Sequence, residues 1–262
     1  MQQHVFIVPA YGRSKHLRDC LASLRQQTHL SPIIISTSTP HEGLESLAAE
    51  FGARLVVHSP NAGIGHDWNV ALRSVKAQWA TLAHQDDIYL PHFAEDTLAL
   101  VARHGDASLV MTGYGEQAGE QVRTLTPMLA VKHLLQELAF LGRTAIRTRG
   151  AKRRLLRFGC AIPCPSVTLR LAPSPPQFCE DLRLNLDWDA WLRLADQAGA
   201  FVRVKRVSML HRIHTGSETS SGIRAGVRAC EDRLMFGKLW PAPIATLLAR
   251  AYALSYEAGV GA

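Results

Sequence analysis

Two carboxylates, Asp86 and Asp87, stand side by side directly after the apolar run Trp79–Ala83 and just before Ile88-Tyr89-Leu90-Pro91. Carboxylate oxygens are the preferred ligands of hard divalent cations, and Mg²⁺ is typically held by one or two carboxylates plus a substrate's phosphates. The competing reading is a solvated turn, with Asp87 helping the N-terminus of a helix that opens at Pro91. Asp187, at the head of DWDAWLRLADQ, reads locally as a helix N-cap. His214, in His211-Arg-Ile-His, reads locally as a surface or packed histidine. On local evidence alone these alternatives stay open.

The elements that must position these groups follow from periodicity. Short apolar runs predict strands at His4–Pro9, Pro32–Thr37, Arg54–His58, Trp79–Ala83 and Ala107–Thr112. Helices are expected between them: Leu17 to about Gln27 (with Ser14 as N-cap), His41–Phe51, Asp67–Lys76 and Pro91–His104. This alternation predicts an α/β fold, a mainly parallel central sheet with helices on both faces. In such sheets ligands bind outside the carboxyl ends of the strands, where the doublet falls. After Gly113 the rhythm breaks. Gly115–Arg123 reads as a polar loop, Met128–Leu141 as an amphipathic helix, Ser166–Leu171 as a strand, Asp187–Gln197 as a helix and Phe201–Val207 as a half-buried strand. The tail from Ile223 reads as helical, with a break at Pro241–Pro243.

Composition bounds the class. The chain has 262 residues, 47% hydrophobic and 19% charged, enough for one large domain or a domain with an appendage. Its net charge of +7 implies affinity for anions such as phosphates, nucleic acid or an acidic membrane face. Seven of the cations fall in Arg143–Arg157, a run that reads as a solvated face or as a contact for an anionic acceptor or lipid headgroups. No recognised basic motif supports nucleic-acid binding, and no nucleic-acid partner is expected. Five cysteines without a CxxC pair argue against a disulfide framework or a zinc site, and a reducing cytoplasm is the simplest location. The N-terminus lacks the regions of a signal peptide, and no apolar run reaches the ~18 residues of a membrane span.

The ordered set of motifs from Val5 to His214 resembles the family 2 glycosyltransferases of the GT-A fold. VPAYGR at Val8–Arg13 is similar to the family's opening segment, and SLRQQT at Ser23–Thr28 to the end of its first helix. NAGIGHDWNVAL at Asn61–Leu72 is similar to its Asn-x-Gly element, and QDDIYLP at Gln85–Pro91 to its DXD-type motif. PSVTLR at Pro165–Arg170 resembles its acceptor-side strand, DWDAWLRLA at Asp187–Ala195 its Asp-x-Asp helix, and HRIH at His211–His214 its closing motif.

The resemblance implies a Rossmann-like nucleotide-sugar-binding half over 1–113, an acceptor half over 114–222, and a helical extension over 223–262. It implies inverting transfer of a sugar from a nucleotide-diphosphate donor to a saccharide or lipid-linked saccharide acceptor. A divalent cation, Mn²⁺ or Mg²⁺, would be held by Asp86, Asp87 and His214 and would take up charge on the departing diphosphate. Pro9, Ala10, Tyr11 and Arg13 would line the base and ribose, with Ser36, Asn61, Gly63, Asn69 and Gln85 closing the pocket. Arg212 or Arg13 would contact phosphate, Trp188 and Trp191 could form a sugar-stacking wall although core packing is the commoner role for such residues, and Asp187 would be the general base, with Asp189 its rival.

Two departures stand out. Ser36 or Thr37 replaces an Asp that reads the base, and His84 replaces the first Asp of a D-x-D-D run. The loss at His84 also leaves room for a non-catalytic nucleotide-sugar- or carbohydrate-binding protein on the same fold. A nucleotidyltransferase would need a Gly-rich basic loop after the first strand, which VPAYGRSK is not. The cytoplasmic location would be peripheral on the inner membrane face if the basic run meets lipid.

Overall fold

The computed structural model describes residues 2–260. The first half alternates strand and helix: β1 (Gln2–Pro9), α1 (Leu17–Arg25), β2 (Ile33–Thr37), α2 (Leu44–Glu50), β3 (Arg54–Val57), α3 (Ile64–Arg73), β4 (Ala77–Leu82), β5 (Ile88–Tyr89) and α4 (Phe93–Arg103). Then come β6 (Ala107–Ala118), β7 (Gln121–Arg123), α5 (Pro127–Phe140), β8 (Ala145–Ile146), α6 (Arg149–Leu156) and β9 (Val167–Arg170). The chain closes with α7 (Leu186–Ala195), β10 (Ala200–Arg212), α8 (Glu218–Arg224), α9 (Val227–Gly237) and α10 (Ala242–Val260).

All ten strands join one sheet, with the main order β3-β2-β1-β4-β9-β6-β10-β5. β3, β2, β1 and β4 run parallel; β9 runs against both β4 and β6, and β10 is parallel to β6. The six strands β1–β4, β6 and β10 therefore point the same way. β1, β2 and β4 are almost wholly buried, as strands covered by helices on both faces are. The chain moves outward from β1 to β3 and then returns to the other side of β1 with β4. That reversal opens a crevice beyond the carboxyl ends of β1 and β4.

Buried polar side chains of α1 and of the turn just after it brace the lip of this crevice. Ser23 Oγ accepts from the Tyr89 amide at 3.0 Å, and the Gln27 side chain donates to Leu90 O at 2.8 Å and accepts from Ala94 N at 3.0 Å. β10 reaches the same lip from the far side by pairing antiparallel with β5, Leu210 against Ile88 and Met209 against Tyr89. A bulge around Lys205–Arg206 interrupts its register with β6 and re-aims its last residues. Gly113 is required opposite: a Cβ there would lie 2.7 Å from Arg206 O and 2.8 Å from Lys205 O.

Three expectations are corrected. Gly115–Arg123 is a hairpin rather than a loop, because pairing of Gly115–Gln117 with Leu210–Arg212 imposes the strand that local propensity does not. The first helix begins at Leu17, with Ser14 Oγ accepting from His16 N instead of capping it. In the basic run one cation leaves the expected solvated face: Arg143, Arg147, Arg149, Arg154 and Arg157 are exposed, whereas Lys152 turns inward. Arg147 pairs with Asp106, Arg149 and Arg153 share Asp196, and Arg157 lies over the Trp240 ring at 3.8 Å. Lys152 is buried, donating to Gln197 O at 2.6 Å and Gly199 O at 3.1 Å beyond the C-terminus of α7.

The five cysteines are free. No helix among the described residues is long and apolar enough to cross a membrane. Because Lys152 satisfies carbonyls that are otherwise without donors, Lys152→Met is expected to destabilise the protein by roughly 2 kcal/mol in urea unfolding. Arg143→Ala, on the exposed side of the same segment, is expected to change it by less than about 0.5 kcal/mol.

Candidate active site

Beyond β4 the chain turns through His84-Gln85-Asp86-Asp87. Gln85 ties this turn to the end of β1, accepting from Tyr11 N at 3.1 Å and donating to Tyr11 O at 3.2 Å. Asp87 is fully buried. Its Oδ1 accepts from the Arg212 backbone amide at 2.9 Å and meets His211 Nδ1 at 3.0 Å, while its Oδ2 has no partner among the described residues. Asp86 Oδ2 meets His214 Nε2 at 2.9 Å. The pairing of β10 with β5 thus brings HRIH onto the acidic doublet across more than 120 residues of chain.

Charge in this cluster is finely balanced. Burial works against the ionised form of Asp86, but His84, the His214 hydrogen bond and His211 outweigh it and hold the carboxyl below the ordinary Asp value. Burial alone would push His211 down; Asp87 and Asp86 reverse this and raise it. Burial dominates at His84 and favours its neutral imidazole. Ligand atoms of His84, Asp86 and Asp87 lie within 4.8 Å of one another. A buried carboxylate oxygen left unpaired beside a second carboxylate suits a divalent cation, so the donor set fits one.

The residues expected around the nucleotide divide into two groups. Tyr11 (62% exposed), Arg13, Asn61 and Gly63 are exposed near the ends of β1 and β3, and Pro9 and Ala10 form the floor beside them. Ser36 is buried, and its Oγ has no partner among the described residues. Gly63 opens α3 with φ 101°, a conformation glycine supplies without strain. Asn69 is corrected. Its amide donates to Phe178 O and Glu180 Oε1, both at 2.9 Å, and its carbonyl accepts from Phe178 N at 2.7 Å, leaving no donor for a nucleotide. Its task is to pin the 177–181 loop to α3. Arg212 donates to Asp86 O at 2.9 Å and pairs with Asp19 at 3.2 Å, which sets its guanidinium against the metal-type turn.

Asp187 lies in the first turn of α7, whose N-cap position is Asn185. Its Oδ1 accepts from Trp188 N at 2.7 Å, and Cys160 Sγ is 3.7 Å from Oδ2. Burial raises its pKa, opposed by Arg228 and more weakly by His84 and Lys132. Asp189 is held between Lys238 at 2.7 Å and Arg193 at 2.9 Å, which removes it as a free base. Trp188 is corrected from sugar wall to core: it is fully buried, donates to Leu156 O at 3.0 Å and packs on Phe236 and Tyr252. Trp191 is equally buried and donates to Ile162 O at 3.1 Å.

Sequence reasoning missed the brace beneath α7. Glu231, from α9, accepts three successive backbone amides, Arg183 N at 2.7 Å, Leu184 N at 2.9 Å and Asn185 N at 2.8 Å. Its neighbour Asp232 accepts from Asn185 Nδ2 at 2.8 Å. No local pattern in CEDR signals this, because the amides and the Asn185 side chain that it braces lie more than 40 residues away.

The model of the family described as glycosyl transferase family 2 matches residues 5–167, more than half of the chain, and the chain belongs to that family. An uncharacterized glycosyltransferase of Rickettsia felis is 22% identical over 197 residues, 72% of this chain but only 30% of that protein. The structure of residues 1–349 of S. aureus TarS with UDP-GlcNAc superposes with a TM-score of 0.64 at 15% identity, covering 97% of this chain and 72% of that one. Glucosyl-3-phosphoglycerate synthase from Mycobacterium tuberculosis, with Mn²⁺ and UDP-glucose, gives 0.57 at 16% identity, covering 89% and 78%. The fold is the GT-A fold these enzymes share.

Glu231→Ala is expected to cost about 2–3 kcal/mol in urea unfolding by stranding three amides. Glu231→Gln, which keeps one acceptor oxygen, is expected to lose less.

Proposed function

We propose that this chain transfers a sugar from a nucleotide-diphosphate donor to a hydroxyl acceptor, with inversion at the anomeric carbon. The observation that carries the reading is Asp87, buried at the carboxyl ends of the parallel strands with one oxygen unpaired beside Asp86. Asp86 and Asp87, with His214 at the rim, would hold Mn²⁺ or Mg²⁺. Bound there, the cation supplies Lewis-acid compensation for charge on the leaving diphosphate. The similar structures, one holding UDP-GlcNAc and the other Mn²⁺ with UDP-glucose, support the reading.

The chain's own residues do the rest. Tyr11, Arg13, Asn61 and Gly63 offer an exposed edge to the nucleotide, where Arg13 would meet a phosphate. Arg212 holds the turn that carries Asp86. Asp187 takes the proton of the acceptor hydroxyl as its oxygen attacks the anomeric carbon and the bond to the diphosphate oxygen breaks. Burial suits Asp187 to this role, since a carboxylate with a raised pKa is a stronger base. The Trp188 amide orients it. The acceptor is a saccharide or lipid-linked saccharide.

Asp187→Asn is expected to lower turnover by about 10²–10⁴-fold while donor affinity, read by calorimetry, is unchanged. Near-normal turnover would remove Asp187 as the base. The wild-type rate should fall on the acid side, because the base must be ionised. With the Asp187 pKa raised from 3.8, that acid limb should lie above the ordinary Asp range, and it should be absent from the residual activity of the Asn variant.

A further inference from the structure

The group next to the acidic doublet is an imidazole. His84 leaves the end of β4 and packs against the buried Trp68 ring, with centroids 5.1 Å apart. Its Nε2 is buried and has no hydrogen-bond partner among the described residues. The same holds for Asp87 Oδ2, on a side chain with 0% exposure whose other oxygen already accepts from two donors. Buried polar atoms are nearly always paired, and an unpaired one in a native fold calls for an explanation such as an ion. Here two occur in one turn, and they belong to residues whose ligand atoms, with that of Asp86, converge within 4.8 Å. A carboxylate at position 84 would give an all-oxygen set; the residue present gives nitrogen.

We propose that His84 is a direct nitrogen ligand of the cation, so that the site is a mixed nitrogen–oxygen site selective for transition metals over Mg²⁺. The proposal rests on the metal-assisted reading above and deepens it by naming the cation class. Mg²⁺ binds oxygen and gives up its water reluctantly, whereas imidazole favours the later first-row divalent ions. Asp86 and Asp87 supply charge, and His84 supplies the preference. His214, already bonded to Asp86, orients that carboxylate or joins it at the metal.

The test is calorimetric titration of the full chain with Co²⁺, Mn²⁺ and Mg²⁺ alone, without nucleotide. Wild-type protein should bind Co²⁺ at least about tenfold more tightly than Mg²⁺. His84→Asp should lower the Co²⁺/Mg²⁺ affinity ratio by about tenfold or more while keeping Mg²⁺ binding, which also shows that the variant is folded. Pulsed EPR of the Mn²⁺ complex provides a second readout. Coupling to ¹⁴N should survive in His214→Gln and disappear when His84→Asp is added. An unchanged ratio in His84→Asp, ¹⁴N coupling that vanishes in His214→Gln alone, or no measurable cation binding by the wild type would each overturn the assignment. Sugar transfer with an unchanged metal ratio would sink this inference and spare the proposed function. The expected ratios without any sugar transfer would do the reverse.

Discussion

Removing an ionised carboxylate from water costs several kcal/mol unless hydrogen bonds and opposite charge replace the lost hydration. Asp87 sits fully inside the protein, and the local architecture follows from meeting that cost. One oxygen is met by the last residues of β10, through the Arg212 amide and the His211 ring. For those residues to arrive, β10 must pair with the two-residue β5, bulge past Gly113 and run thirteen residues from the opposite end of the sheet. For β5 to be there, Ser23 of α1 and Gln27 just beyond its end must reach across to it. The second oxygen has no partner among the described residues, and that remaining deficit suits the crevice to the cation proposed above.

A comparable logic holds under Asp187. The start of α7 presents amides and a polar side chain, and acidic residues of α9 answer them. The helices after residue 223 are therefore part of the scaffold that fixes the proposed base, not an appendage. The same helices supply Phe236 and Tyr252, which close Trp188 into the core. A residue whose type suggested sugar stacking is thus sealed away by elements outside the motif-bearing region.

What the sequence disclosed, it disclosed through local pattern. β1, β2 and β4 each carry a short apolar run, and α1, α3 and α4 carry their apolar residues at helical spacing, so these elements fall close to their expected places. The doublet stood out because two carboxylates after a buried strand are unusual in type and position. The hidden features depend on partners distant in the chain. β5 and β8 are two residues long and exist only against β10. Asn69 could pass for a pocket residue until Phe178 appeared opposite it, and Lys152 for a surface cation until the end of α7 closed over it. In α7 nearly every residue is buried, so periodicity offered no exposed face from which to infer where Trp188 points.

The expected boundary between donor and acceptor halves at residue 113 falls inside β6, a single strand from Ala107 to Ala118. One sheet therefore carries both halves, stitched by the ladder between β6 and β10. Continuous hydrogen-bonded backbone thus spans the expected boundary. Opening and closing around a substrate would then fall to the connecting segments at the crevice rim, where loops carry most of a fold's mobility.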